Sequence, residues 1–243
     1  MFNDKIASNK YEWFVNKFPC KTAIETGMHE GKGTRNLLKH HDTVISCESW
    51  DKFFQETLSS FINDDKFNLE LEFKTKTHNI TVKKLVKDDK TLFLLKGSSE
   101  LALECIFLNE LNYEFTTPYV FYLDAHWNGK GGTDWPILHE LETIGNYNLS
   151  NSKLIIHDFK VPGFSTKGSP IWGYDEYNGF DLDYEYVKEY LFKINNGMLS
   201  FFPDNVTNDA HGRGILYCVP PEELDFEEYL SYNRGNPTIE LNK

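Results

Sequence analysis

"TAIETGMHEGKGT", residues 22–34, opens on a short strand-forming run (Thr22 to Glu25), turns through Gly27, Gly31 and Gly33, and enters a helix at Thr34. A tight strand-to-helix turn needs residues without Cβ, both to bend and to let a ligand approach the backbone. The helix behind it offers free N–H groups. A dinucleotide fingerprint reads Gly-x-Gly-x-x-Gly, whereas the order here is Gly-x-x-x-Gly-x-Gly. Glu25, two residues ahead of the first glycine, suits a cationic amine at that point and would repel a pyrophosphate. The turn therefore argues against a nicotinamide dinucleotide.

Twenty-one residues beyond Gly27 the next apolar run, "VISCES", closes on Glu48, where an acid can accept bonds from two ribose hydroxyls. Trp50 is placed to flank a base. A third run ends "LLKGSSEL", in which Gly97, Ser98 and Ser99 turn into a helix and are candidates for contact with a base edge. Ser99 serves equally well as that helix's N-cap. Two further runs end abruptly on acid and imidazole: "YVFYLDAHWNG", residues 119–129, sets down Asp124, His126 and Trp127, and "LIIHDF" delivers His157 and Asp158. Either both are coincidental strand ends, or neighbouring strands present ligands to one crevice.

Strand-like runs alternate with amphipathic segments, the pattern of repeated βα units and a largely parallel sheet. Seven strands are expected, at 22–25, 43–47, 91–95, 119–123, 154–156, 199–202 and 214–219. Helices are expected at 11–17, 34–41, 51–62, 99–111, 136–144 and 184–194, with His139 and Glu140 as surface residues. Residues 67–87 begin with alternating apolar and polar positions, as a half-exposed strand or hairpin would, and form an insertion or an edge. Residues 160–182 combine Gly, Pro and aromatics without a period, which suits a lid loop. With no repeat or linker, the expectation is one α/β domain over 1–243, with residues 1–19 as an N-terminal helical segment.

The formal net charge of −12 and only three arginines argue against a nucleic-acid partner, since phosphate affinity comes from clustered Lys and Arg. A small molecule or neutral glycan fits better. Cys20, Cys47, Cys105 and Cys218 form no CxxC pair, so they read as isolated core thiols. No run of 18 apolar residues and no signal-like N-terminus is present, so a cytoplasmic chain without membrane contact is expected, and three Asn-x-Ser/Thr sequons then have no glycosylation role. Oligomeric state is open, a homo-oligomer included.

Together, Glu25, Gly27, Gly31, Gly33, Glu48, Ser98 and Ser99 resemble the class I S-adenosylmethionine-dependent methyltransferases, over roughly residues 20–219. In that family an acid, one residue, a glycine and further small residues make the first turn, and a second acid closes the next strand. The resemblance implies a Rossmann-like, doubly wound, mostly parallel seven-stranded sheet with helices on both faces. It also implies one antiparallel strand, 214–219, between two parallel neighbours, and S-adenosylmethionine as cofactor, bound by those seven residues.

The same resemblance puts Asp124, His126, His157 and Asp158 beside the sulfonium methyl. Metal-assisted branches, similar to macrolide-sugar and catechol-type O-methyltransferases, hold Mg²⁺ with an acid after the fourth strand and an acidic pair after the fifth. Here Asp124, His157 and Asp158 are the implied ligands, and His157 stands where the sugar-directed branch carries Glu. Imidazole favours Mn²⁺, Fe²⁺ or Zn²⁺ over Mg²⁺. A sugar hydroxyl needs a base or a cation to become nucleophilic, so His126 and Asp124 are the catalytic candidates. The implied activity is O-methylation of a glycan, nucleotide-sugar or related small molecule. The competing readings are a non-catalytic nucleoside-binding module, a nicotinamide oxidoreductase and a metal-dependent hydrolase built on the Asp/His strand ends. Trp172, Tyr174, Tyr177 and Phe180 are candidates to stack on an acceptor, and Asp204, Asp209, His211 and Arg213 to line its pocket.

Overall fold

A computed structural model describes residues 5–125, 136–163, 165, 173–177, 179–202 and 214–232. In chain order the strands are β1 (Thr22–Thr26), β2 (Thr43–Glu48), β3 (Asn68–Lys74), β4 (Thr81–Lys87), β5 (Lys90–Lys96), β6 (Tyr119–Leu123), β7 (Lys153–His157), β8 (Glu176–Tyr177), β9 (Phe180–Asp181), β10 (Leu199–Phe201) and β11 (Ile215–Val219). The helices are α1 (Lys5–Lys17), α2 (Lys32–His40), α3 (Asp51–Asn63), α4 (Ser99–Phe107), α5 (Pro136–Asn146), α6 (Tyr184–Ile194) and α7 (Phe226–Tyr232).

Nine strands form one sheet in the order β10-β11-β7-β6-β1-β2-β5-β4-β3, and β8 pairs with β9 separately. The expected seven strands are present, but the sheet is larger than expected because β3 and β4 extend it past β5. Two strands rather than one run against the parallel set: β4, antiparallel to β5, and β11, antiparallel to both β7 and β10. β3 and β4 are the hairpin expected over 67–87, with β3 outermost and β4, "TVKKLVK", half-exposed with only Val82 and Leu85 buried. Its Lys83 and Lys84 pair with Glu72 and Glu70 of β3. Charged residues on outer strands also discourage pairing with a further strand.

β1, β2, β6 and β7 are buried along their whole length, as expected when helices cover both faces of a parallel sheet. Side chains alternate between the faces. Ile24, Ile45, Phe93, Phe121 and Leu154 pack with Leu103, Leu141 and Leu191 of α4, α5 and α6. Ala23, Val44, Leu92, Val120 and Ile155 pack with Phe14, Leu37 and Phe54 of α1, α2 and α3. Glu140 is not a surface residue: it is buried with Ile137, Leu141 and Ile144, on the inward stripe of α5. Among the described residues no helix is long and apolar enough to cross a membrane.

The strand order reverses between β1 and β6, which run side by side in register from Thr22↔Tyr119 to Thr26↔Leu123. A crevice for a ligand opens outside the carboxyl ends of strands at such a point.

Candidate active site

β1 delivers the chain into Gly27 at φ 79°, left-handed backbone that favours glycine. A Cβ there would also lie 2.8 Å from the Asp124 carbonyl carbon, so the first turn and the end of β6 touch backbone to backbone. Gly31 occupies the N-cap of α2, and Gly33 falls inside the helix, which begins two residues earlier than its apolar pattern indicated. The turn is pinned by Met28 N donating to Cys47 O (2.9 Å) and His29 N to Glu48 Oε2 (2.8 Å).

Glu25 is 1% exposed. Its Oε2 accepts from Thr34 Oγ1 and Ser46 Oγ, each at 2.5 Å, while Oε1 has no hydrogen-bond partner among the described residues. Burial pushes this carboxyl up to about 8 against the pull of the two hydroxyls, with Asp124 and Glu48 adding to the rise. Sequence reading had missed Thr34 and Ser46. The available signal was a hydroxyl inside the apolar run of β2, in register with Glu25.

Glu48 accepts from Trp50 N through Oε1 (2.8 Å) as well as from His29 N, which ties the glycine turn to the start of α3. A carboxylate has about four lone-pair sites, so two remain for hydroxyls. Trp50, 43% exposed, stacks on Phe53, whose ring centroid is 4.1 Å from that of His29. Ser98, not Ser99, holds the N-cap position of α4, and its hydroxyl makes no capping bond. That oxygen is buried without a partner among the described residues, and Ser99 is the buried first residue of the helix.

β6 and β7 are parallel neighbours, so their ends lie side by side. Asp124 N and Ala125 N donate to Thr26 Oγ1 (3.1 and 3.3 Å), and Asp158 sits at φ 56°. His157 Nδ1 is 3.0 Å from Asp124 Oδ1 and 3.1 Å from Asp158 Oδ1, and all three residues are buried. Burial pulls the imidazole pKa down, but the two carboxylates outweigh it and raise it to about 9. One ligand atom from each residue falls within 4.8 Å of the others. An O, N, O donor set of that span fits a first-row divalent cation such as Mn²⁺ better than Mg²⁺.

Of the expected lid, the described part is tied down behind this cluster: Asp175 N donates to Asp158 O (2.9 Å) and Lys160 N to Leu182 O (2.7 Å). Lys160 pairs with Asp181 and lies over the Tyr174 ring at 5.5 Å. Phe180 is exposed. His126, Trp127, Trp172, Asp204, Asp209, His211 and Arg213 lie outside the described residues, as does the Tyr177 side chain.

No family model matches the chain, and no curated protein matches its sequence. Solved structures do match in shape. An O-methyltransferase from Bacillus cereus, solved with S-adenosylhomocysteine, superimposes with a TM-score of 0.53 at 12% identity, covering 89% of this chain and 81% of that one. The methyltransferase domain of a bacterial Hen1, CtHen1-C, gives 0.51 at 11% identity over 88% and 95%. The O-methyltransferase TomG from Streptomyces achromogenes, involved in tomaymycin synthesis and solved with S-adenosylmethionine, gives 0.50 at 10% identity over 89% and 80%. The chain therefore has the α/β fold of the class I S-adenosylmethionine-dependent methyltransferases.

Proposed function

We propose that the protein transfers a methyl group from S-adenosylmethionine to a hydroxyl of a small-molecule acceptor, a sugar or nucleotide-sugar being the preferred class. The observation that carries this reading is the meeting of Asp124, His157 and Asp158 at one point, beside a glycine turn whose buried acid has one oxygen without a hydrogen-bond partner among the described residues. In the proposed pose Glu25 Oε1 takes the cofactor's ammonium, Glu48 its ribose hydroxyls, and Ser98 with Ser99 the base. The sulfonium methyl then points at the strand ends of β6 and β7. The acceptor oxygen attacks the methyl carbon, the carbon–sulfur bond breaks, S-adenosylhomocysteine leaves and the hydroxyl proton passes to a base. His126, two residues past Asp124, is the proposed base.

A divalent cation held by Asp124, His157 and Asp158 would lower the pKa of an acceptor hydroxyl. A second reading has its own support: Nδ1 lies within hydrogen-bond distance of both carboxylates, so an imidazolium can hold them together with no metal. Tyr174 beneath Lys160 offers a ring face on which a pyranose can pack.

Asp124→Asn and Asp158→Asn should fold and bind S-adenosylhomocysteine while losing about 10²- to 10⁴-fold in turnover, within the range of a positioned catalytic group. Exhaustive chelation separates the two readings: loss of activity that a single divalent ion restores supports the metal, and full activity after chelation supports the imidazolium. Wild-type turnover in both carboxylate variants would remove the cluster from the chemistry.

A further inference from the structure

The turn between β5 and α4 is held from two sides. On one, Gly97 N donates to Glu48 O (3.0 Å), so the turn moves with the strand end that carries the ribose acid. On the other lies Ile80, so close that a Cβ on Gly97 would overlap its Cδ1. Ile80 belongs to the tip joining β3 and β4, residues 75–80. The pairing Thr81↔Lys96 sets that tip level with the turn.

The tip is fastened to α4. His78 Nε2 is 2.7 Å from Glu104 Oε2, Cys105 Sγ is 3.5 Å from Thr75 Oγ1, and Thr77 N donates to Glu110 at 3.2 Å, just past the end of the helix. It also closes on itself, Thr75 N donating to Ile80 O and Ile80 N to Thr75 Oγ1, both at 2.9 Å. α4 starts at Ser99, so the tip, the helix and the turn form one unit. In that turn is the Ser98 hydroxyl, its oxygen buried, capping nothing and without a partner among the described residues. Leaving such a group unpaired is costly unless a ligand completes it.

We propose that the β3–β4 hairpin is the base clamp of the cofactor site. Ile80 and the ties to α4 hold the Gly97–Ser99 turn where the Ser98 hydroxyl meets the adenine edge of a bound adenosyl ligand. The proposal rests on the reading of the site as one for S-adenosylmethionine. Without β3 and β4, β5 would be an outer strand and this turn would stand on an open rim. Ile80 and His78 are positioning residues, acting through Ser98 without touching the ligand.

Titration with S-adenosylhomocysteine and with S-ribosylhomocysteine, which lacks the base, isolates the effect. Ile80→Ala should weaken the adenosyl ligand about tenfold, the worth of one hydrogen bond, and change the base-free ligand by less than about twofold. Ile80→Val should restore most of the loss. Glu70→Gln, in the same hairpin but paired with Lys84, should bind both ligands as wild type. Should Ile80→Ala fail to fold, His78→Ala carries the test, because it cuts a half-exposed tie without opening the core. Equal weakening of both ligands, or undiminished adenosyl affinity in Ile80→Ala and His78→Ala, would overturn the clamp. A wild-type protein that binds neither ligand would overturn the cofactor reading, and the clamp with it.

Discussion

Glu25 shows what a buried acid costs its host. A carboxyl group has been placed inside the sheet, with two hydroxyl donors on one oxygen and, among the described residues, none on the other. Its folded pKa of about 8 lies above the ordinary carboxylate value, so between roughly pH 4.5 and 8 the unfolded chain has released a proton that the folded chain keeps. The unfolded state then binds fewer protons, and stability falls as pH rises through that window. Glu25→Gln should therefore raise the melting temperature of the ligand-free protein by several degrees near pH 8 and by little near pH 5. The same variant should lose measurable affinity for S-adenosylhomocysteine. Scanning calorimetry at the two pH values checks the first expectation; a variant equally stable or less stable than wild type at pH 8 would contradict it.

Secondary structure away from the crevice separates stability from function. α1 docks through Tyr11, whose hydroxyl donates to His41 Nε2 (2.6 Å), while His41 Nδ1 donates to Cys20 O (2.9 Å). Burial lowers the imidazole pKa to about 4, so it stays neutral and keeps this tautomer. Tyr11→Phe leaves a buried nitrogen unsatisfied and should cost about 1–3 kcal/mol in urea unfolding, with cofactor affinity unchanged. Lost affinity would mean that α1 shapes the site. The inner strands were legible in the sequence because β1, β2, β6 and β7 are apolar runs buried on both faces. α6 was read with its true bounds because it starts at the N-cap Asp183, whose side chain accepts from Tyr186 N, and stops before Asn195. The hairpin of β3 and β4 was legible as a strand pair over 67–87 but not as an extension of the main sheet rather than an insertion, and two-residue strands such as β8 and β9 carry no period at all. Glu140 was legible and misread: 137, 140, 141 and 144 make one inward stripe, but a charge was taken for a surface residue. Of the candidate site, the acids and glycines could be read from spacing, whereas Thr34 and Ser46 meet Glu25, and Ile80 meets Gly97, only through the fold.

Taken together, the sheet order brings a glycine turn, Glu48 and an Asp/His/Asp cluster to one end of the sheet, in a chain whose net charge is −12. In the proposed pose a dinucleotide would bring a pyrophosphate to Glu25, whereas S-adenosylmethionine would bring an ammonium. The direct measurement is calorimetric titration of the purified protein with S-adenosylhomocysteine and, separately, with NAD. S-adenosylhomocysteine should bind at one site per chain, with the affinity lost in Glu25→Gln, and NAD should give no binding heat. NAD binding as tightly as S-adenosylhomocysteine, or no S-adenosylhomocysteine binding at all, would contradict the account.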